Sequence, residues 1–418
     1  MAETTKAALI EGAFRRVNFE RLAENLAVAV AVSLPWSTSA TGILITLWLL
    51  ALLPTLDFAE IRRGMTVPAS ALPVAFCALG VLGMAWADVS FAERLFSVKV
   101  FLRFLAIPLL LIQFRRSDRG MWVVGGFLAS CMALLAASWT LAFWPSLAWR
   151  NISLGVPVKD YVIQSSEFSI CAFGLAHFAI CCWRERRYGM TLALGVIALL
   201  LLANIFFVAT GRSSLLVMAV LFVVLGLQRF SWQGALGIIV AGTIAASLAW
   251  FSSPYLRGRV LAVFQEVYSY QTDNAETSSG FRLEFWRKSI QFVAAAPVIG
   301  HGTGSVRELF REAATGNNVA SAAVTDNPHN QTLVVALQLG LLGVGVLYAM
   351  WIAHLLLFRG NGLAAWLGLG VVLQSMVSCL FNSYLFETTL GWFYVFGVGV
   401  LGGMALQGGR PPEARAPS

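Results

Sequence analysis

Three side chains in this sequence have the types and positions for phosphate chemistry: His329, Arg212 and Arg282. His329 stands in Asn327-Pro328-His329-Asn330, where a polar stretch meets an apolar run. A neutral imidazole there can take a proton near neutral pH; the plainer alternative is a histidine that caps the helix or contacts solvent. Arg212 lies in Thr210-Gly211-Arg212-Ser213-Ser214, the whole connection between two apolar runs, so its charge is pinned near the headgroup level. Its alternative is snorkelling to lipid phosphate. Arg282 precedes Trp286 by four residues, which puts both on one face of a helix. Guanidinium groups grip phosphate through paired hydrogen bonds, and a departing pyrophosphate needs that neutralisation. Arg257 and Arg259 flank Gly258 at the same depth; Arg287, His301 and Asn330 are further candidates close by. Asp160, Glu167, Asp326 and Glu387 are scattered with no Asp-x-Asp pair, so neither a metal nor another cofactor is expected.

The elements that must position these groups are membrane helices. Hydrophobic residues make up 58% of the 418 and charged residues 12%, with a mean hydropathy of +0.75. That composition excludes a soluble fold and indicates an all-α polytopic membrane protein. Apolar runs at about 25–38, 40–56, 71–88, 96–114, 120–144, 163–183, 190–209, 213–228, 234–251, 330–357, 363–381 and 388–406 predict about 12 transmembrane helices. Pro35 and Ser37 to Thr41 interrupt the first two, which would also suit a hairpin that does not fully cross. The six cysteines fall in or beside apolar runs without disulfide or zinc spacing. The polar N-terminus is not followed by a cleavage site, so no removable signal peptide is read.

Charge sets the expected orientation and accounts for the high pI without a nucleic-acid partner. Sixteen Lys/Arg, in compact clusters such as Arg115-Arg116, Arg119 and Arg184 with Arg186-Arg187, would lie on one side with both termini. That side is cytoplasmic by the positive-inside rule. The stretch 252–328 would be external, hence periplasmic in a bacterium, although it holds seven of the 29 Lys/Arg; long loops translocate largely regardless of charge. The chain thus divides into an N-terminal transmembrane region (1–251), a periplasmic loop (252–328), a C-terminal transmembrane region (329–406) and a cytoplasmic tail (407–418). Within the loop, short helices are expected at 261–270 and about 305–314, with a flexible glycine turn at Gly300 to Gly304. Phe281 to Ala295 reads as an amphipathic helix with Phe281, Phe285, Ile290 and Phe292 inward, and Arg282, Glu284, Arg287 and Lys288 pointing elsewhere.

With these features in order, the chain resembles the bacterial O-antigen ligases of the ligase/polymerase superfamily. The resemblance rests on the span pattern, Gly211-Arg212-Ser213, Arg282-x-x-x-Trp286, Pro297-x-x-Gly300-x-Gly302-x-Gly304, and His329-Asn330 leading into Leu333, Leu337, Gly340 and Gly343. It implies a GT-C-like, metal-independent, inverting glycosyltransferase of the Gram-negative inner membrane. The donor would be a glycan on undecaprenyl pyrophosphate, and the acceptor a sugar hydroxyl of lipid A–core. By that resemblance His329 would activate the acceptor, or else bind substrate, while Arg212 and Arg282 would bind the donor pyrophosphate. An O-antigen polymerase and a protein O-oligosaccharyltransferase share the scaffold. The polymerases often have two long loops and the transferase a longer C-terminal portion, so both fit this chain less well. A transporter or flippase would place charge at midplane, where Arg103 is the main candidate.

Overall fold

The computed structural model describes residues 2–148, 153–229, 232–273, 277–314 and 319–408. Among these the chain is helical, apart from one isolated bridge between Ser153 and Val156. The helices are α1 (Ala2–Ser33), α2 (Thr38–Leu52), α3 (Phe58–Gly64), α4 (Pro68–Leu82), α5 (Phe91–Leu102), α6 (Ala106–Phe114), α7 (Gly120–Phe143), α8 (Tyr161–Arg184) and α9 (Tyr188–Phe207). They continue as α10 (Arg212–Arg229), α11 (Trp232–Ser252), α12 (Pro254–Asp273), α13 (Ser278–Ala295), α14 (Val306–Glu312), α15 (Val319–Ala322), α16 (Gln331–Leu357), α17 (Leu363–Ser378) and α18 (Thr388–Gly408).

Among the described residues nine helical stretches are long and apolar enough to cross a membrane, rather than the 12 expected. Two further apolar runs, Arg212–Gln228 and Leu363–Ser378, are shorter helices. The first run is only the C-terminal part of α1, whose mixed composition over 32 residues dilutes its apolar half. The chain is a polytopic membrane protein. Arg150 of the 145–163 connection, and Arg410 and Arg415 of the tail, lie outside the described residues.

Helices in lipid gain little from burying apolar surface against one another, so close approach and buried polar bonds hold them. α18 lies against α6 because Gly399, Gly402 and Gly403 leave room; an added Cβ at any of them would sit 2.4–2.8 Å from Leu110, Leu111 or Phe114. The first turns of α8 bury a polar stripe, Gln164 to Glu167 and Ser169. Asp160 caps this helix, accepting from Val162 N and Ile163 N at 2.7 and 2.9 Å. Gln164 donates to Ser138 Oγ (2.8 Å) and Asn204 Oδ1 (3.0 Å), while Ser165 meets Ser214 Oγ at 2.8 Å. Gln374 donates to the Ser166 carbonyl at 2.9 Å. One stripe therefore ties α7, α9, α10 and α17 to α8, and it fixes the short turn before α10.

The described parts of the polar stretch between α11 and α16 hold more helix than expected. Pro254 opens α12 at its first turn, where its missing N–H costs nothing, and the helix runs on to Asp273. Thr277 caps α13. On α13 Phe285 is buried and Phe281 and Phe292 pack against the core, but Ile290 is 62% exposed. Glu284 and Lys288, expected to point outward, are buried at 4% and 5% exposure. The reason is a cover over α13: Lys288 Nζ donates to the Ala313 and Ser321 carbonyls at 2.8 and 2.5 Å. Phe310 of α14 meets Phe285 and Phe292 edge-on, each at 5.4 Å.

The glycine turn is locked, not flexible. α16 is kinked at Gly340 (φ +61°), which frees backbone groups for the turn. Leu341 N and Leu342 N donate to the Pro297 and Val298 carbonyls at 2.8 and 3.1 Å. His301 N and Gly302 N donate back to Leu337 O and Gln338 O, both at 2.8 Å.

Candidate active site

Arg212, Arg259 and Arg282 come from three different helices and line one cavity of about 340 Å³, with Glu266, Ser213, Ser279, Tyr161 and Tyr384. Arg212 reaches it because α10 begins at that residue, and Gly211 lets the turn press on α8: a Cβ there would lie 2.4 Å from Ser165 Oγ. The guanidinium does not extend toward lipid. Its two terminal nitrogens meet the Glu266 carboxylate at 2.9 and 3.3 Å. Glu266 also accepts from Ser279 N (3.1 Å) and Oγ (2.5 Å), joining α12 to α13. The Arg212 bonds foremost, and the Ser279 bonds after them, hold Glu266 down at about 2 despite some burial. Arg259 lies over the Tyr161 ring at 4.6 Å. Among the described residues neither Arg259 nor Arg282 has a carboxylate partner. Three guanidiniums against one carboxylate leave two positive charges uncompensated.

His329 stands beside this cavity in a strained conformation. Its φ of +56° is in the left-handed region, which non-glycine residues rarely occupy. Asn327 Oδ1 holds the bend by accepting from His329 N at 2.8 Å. Asn382, in the connection between α17 and α18, faces the ring: its Oδ1 lies 3.0 Å from Nδ1. Phe285 of α13 stacks on the imidazole at 6.3 Å. Burial chiefly, and the positive charge of Arg282, lower the imidazole's pKa below its usual 6.5, against the opposing pull of Asn382 and Asp326. The ring is therefore neutral at pH 7 and able to take a proton.

On the other side of the same residues lies a larger cavity of about 760 Å³, bordered by Asn327, Ser383, Asp326, Glu387, Arg307, Phe96 and Phe386 among others. Phe381 and Tyr384 face the arginine cavity, and Asn327 and Ser383 the larger one. Asn382 thus stands in the chain between a residue of each cavity, Phe381 and Ser383, and His329 N bonds Asn327 of the larger one. The 379–387 connection is laced to its surroundings. Gln331 N donates to Cys379 O (2.9 Å), Leu385 N donates to Gln331 Oε1 (3.0 Å), and Arg103 donates to the Leu385 and Glu387 carbonyls. Arg103 is thereby occupied in holding this connection.

The structure brings Arg212, Arg282, Arg259 and His329 together and leaves other candidates outside. Arg257 is half-buried and donates to the Phe251 carbonyl at 3.2 Å. Arg287 pairs with Glu284 at 2.6 Å. His301 bonds the Phe292 carbonyl through Nε2 at 2.9 Å. Asn330 caps α16 by accepting from Leu333 N at 3.1 Å. Trp286 is half-buried with an unpartnered indole nitrogen and does not line the arginine cavity. Sequence reading missed Glu266, Asn382 and Tyr384. The cue was present: Asn382-Ser383-Tyr384 is a polar interruption between two apolar runs, and Glu266 is the one glutamate in a helix with two arginines. Among the described residues no three His, Cys, Asp or Glu side chains converge as metal ligands would.

Comparison with curated proteins finds no match. Residues 197–348 match the family model described as O-antigen ligase. The match takes in α10 to α13 and the first part of α16, and with them Arg212, Arg259, Glu266, Arg282 and His329. Over this segment the chain is similar to the O-antigen ligases.

Proposed function

We propose that this protein is an O-antigen ligase, which moves a glycan from undecaprenyl pyrophosphate to a sugar hydroxyl of lipid A–core at the periplasmic face of the inner membrane. The observation that carries this reading is the cavity in which Arg212, Arg259 and Arg282 converge next to a neutral, strained His329. Its two uncompensated positive charges match the two negative charges of a pyrophosphate diester. The larger cavity, with carboxylates, amides and aromatic rings, suits the hydroxyls and ring faces of the acceptor sugar.

In the reaction the acceptor hydroxyl attacks the anomeric carbon and its proton passes to the imidazole. The bond from that carbon to the pyrophosphate oxygen breaks, and the leaving group takes the electron pair. Attack from the cavity opposite the leaving group inverts the anomeric centre. The arginines neutralise the charge that grows on the pyrophosphate, the role a metal ion plays elsewhere, without needing one. Tyr384, facing Ser213 and Asn382, keeps its proton because burial raises its pKa, so it can donate to the same oxygens.

Reconstituted protein given undecaprenyl-pyrophosphate glycan and lipid A–core tests the reading. Glycan on lipid A–core is the expected product. Longer glycans still on undecaprenyl pyrophosphate would make it a polymerase instead.

A further inference from the structure

The acceptor on the imidazole matters as much as its pKa. A neutral histidine carries its proton on one nitrogen and its lone pair on the other, and the partner of the first decides which is which. Around His329 the assignment follows from the backbone. Ser383 N, which can only donate, lies 3.0 Å from Asn382 Oδ1, so that atom is the amide oxygen. His329 N, likewise only a donor, lies 2.8 Å from Asn327 Oδ1. Asn327 therefore turns its nitrogen to Asn382 Oδ1, donating at 2.9 Å. The atom 3.0 Å from His329 Nδ1 is then an acceptor on independent grounds. Nδ1 must carry the proton, and the lone pair is on Nε2, which has no hydrogen-bond partner among the described residues.

We propose that Asn382 is a positioning residue that fixes the Nδ1-protonated tautomer of His329 and so makes Nε2 the atom that receives the acceptor's proton. Asn382 lies outside the segment that matches the family model, in the connection between α17 and α18. It does this without charge, so the imidazole stays weakly basic among its charged and titratable neighbours: Arg282 on α13, Asp326 on its own strand of chain, and Tyr384 beside Asn382. The inference rests on the reading of His329 as the base.

Two variants test it in reconstituted transfer. Asn382→Leu keeps the volume but lets the tautomers mix; kcat should fall about 10–100-fold, as when a histidine loses its orienting partner, with the KM of donor and acceptor unchanged. Asn382→Asp still accepts from Nδ1 and should restore most of kcat, with the acid limb of the kcat–pH profile moved to higher pH by the added negative charge. Nitrogen-15 spectra of histidine-labelled protein give a readout that a purely structural role would not move. The chain has four histidines, and subtracting the His329→Gly spectrum isolates the signal. Nδ1 protonation is expected in wild type and mixed protonation in Asn382→Leu. The proposal is overturned if Asn382→Leu keeps wild-type kcat, if wild type shows the proton on Nε2, or if Asn382→Asp has the wild-type pH profile. Full transfer by His329→Gly would instead overturn the underlying reading.

Discussion

At the scale of single residues, the site can be taken apart by charge and conformation. Because His329 is held at φ +56°, glycine suits its backbone better than histidine does. His329→Gly should fold at least as well as wild type, so its loss of transfer is a loss of chemistry. Arg282 and Arg212 should part company kinetically. Arg282 depresses the pKa of His329, so Arg282→Gln should move the acid limb of kcat to higher pH as well as weakening donor binding. Arg212→Gln, whose partner is Glu266, should raise the donor KM with the acid limb in place. Measured pH profiles of both variants check this; an unmoved limb in Arg282→Gln would contradict it. Much of this was legible beforehand, since a lone arginine in a five-residue connection and a histidine after Asn-Pro stand out. Their partners were not legible. Glu266 and Asn382 are 54 and 53 residues away from the groups they bond, and periodicity carries no such pairing.

Among the elements, α12 and α13 hang on Glu266. Its pKa in the fold is about 2 against an ordinary 4.5. A depressed carboxylate stabilises above its unfolded value, and that contribution fades as pH falls from 4.5 toward 2. Hydrogen exchange across 277–295 should therefore speed up over that window beyond the intrinsic trend. Glu266→Gln should exchange faster already at pH 7 and lose the extra pH dependence; equal protection in both proteins would contradict the tether. The docked glycine turn makes a second prediction. At Gly340 a Cβ would lie 2.2 Å from the Val298 carbonyl oxygen, on a φ of +61°. Gly340→Ala should destabilise by about 1–3 kcal/mol and weaken transfer by moving the 297–304 turn, seen as a lower melting temperature in detergent. The glycine spacing was visible in the sequence, yet it read as flexibility. What it provides is room for two backbones to meet, which only the α16 kink reveals.

For the whole molecule, the two ends of the bundle differ. At one, Arg116 pairs with Glu60 at 2.6 Å and Arg119 bonds Asn25 at 2.9 Å; at the other lie both cavities and the polar stretch between α11 and α16. By the positive-inside rule the cavities are expected to face outward. A membrane-impermeant thiol reagent on intact spheroplasts should label Ser278→Cys but not Arg359→Cys, in a background lacking the native cysteines. The reverse pattern would invert the topology. The helical, membrane-spanning class followed from hydropathy alone, but the number of long spans did not. A run's apolarity says nothing about where the helix holding it begins, as α1 shows. These scales meet in our proposal that the neutral imidazole of His329, beside the arginine cavity, performs the transfer. The most direct measurement is single-turnover transfer in proteoliposomes with EDTA, comparing wild type with His329→Gly at saturating donor and acceptor. Wild type should transfer glycan to lipid A–core undiminished by EDTA, while His329→Gly should be slower by about 10²–10⁴-fold. A His329→Gly rate within a few-fold of wild type would contradict it.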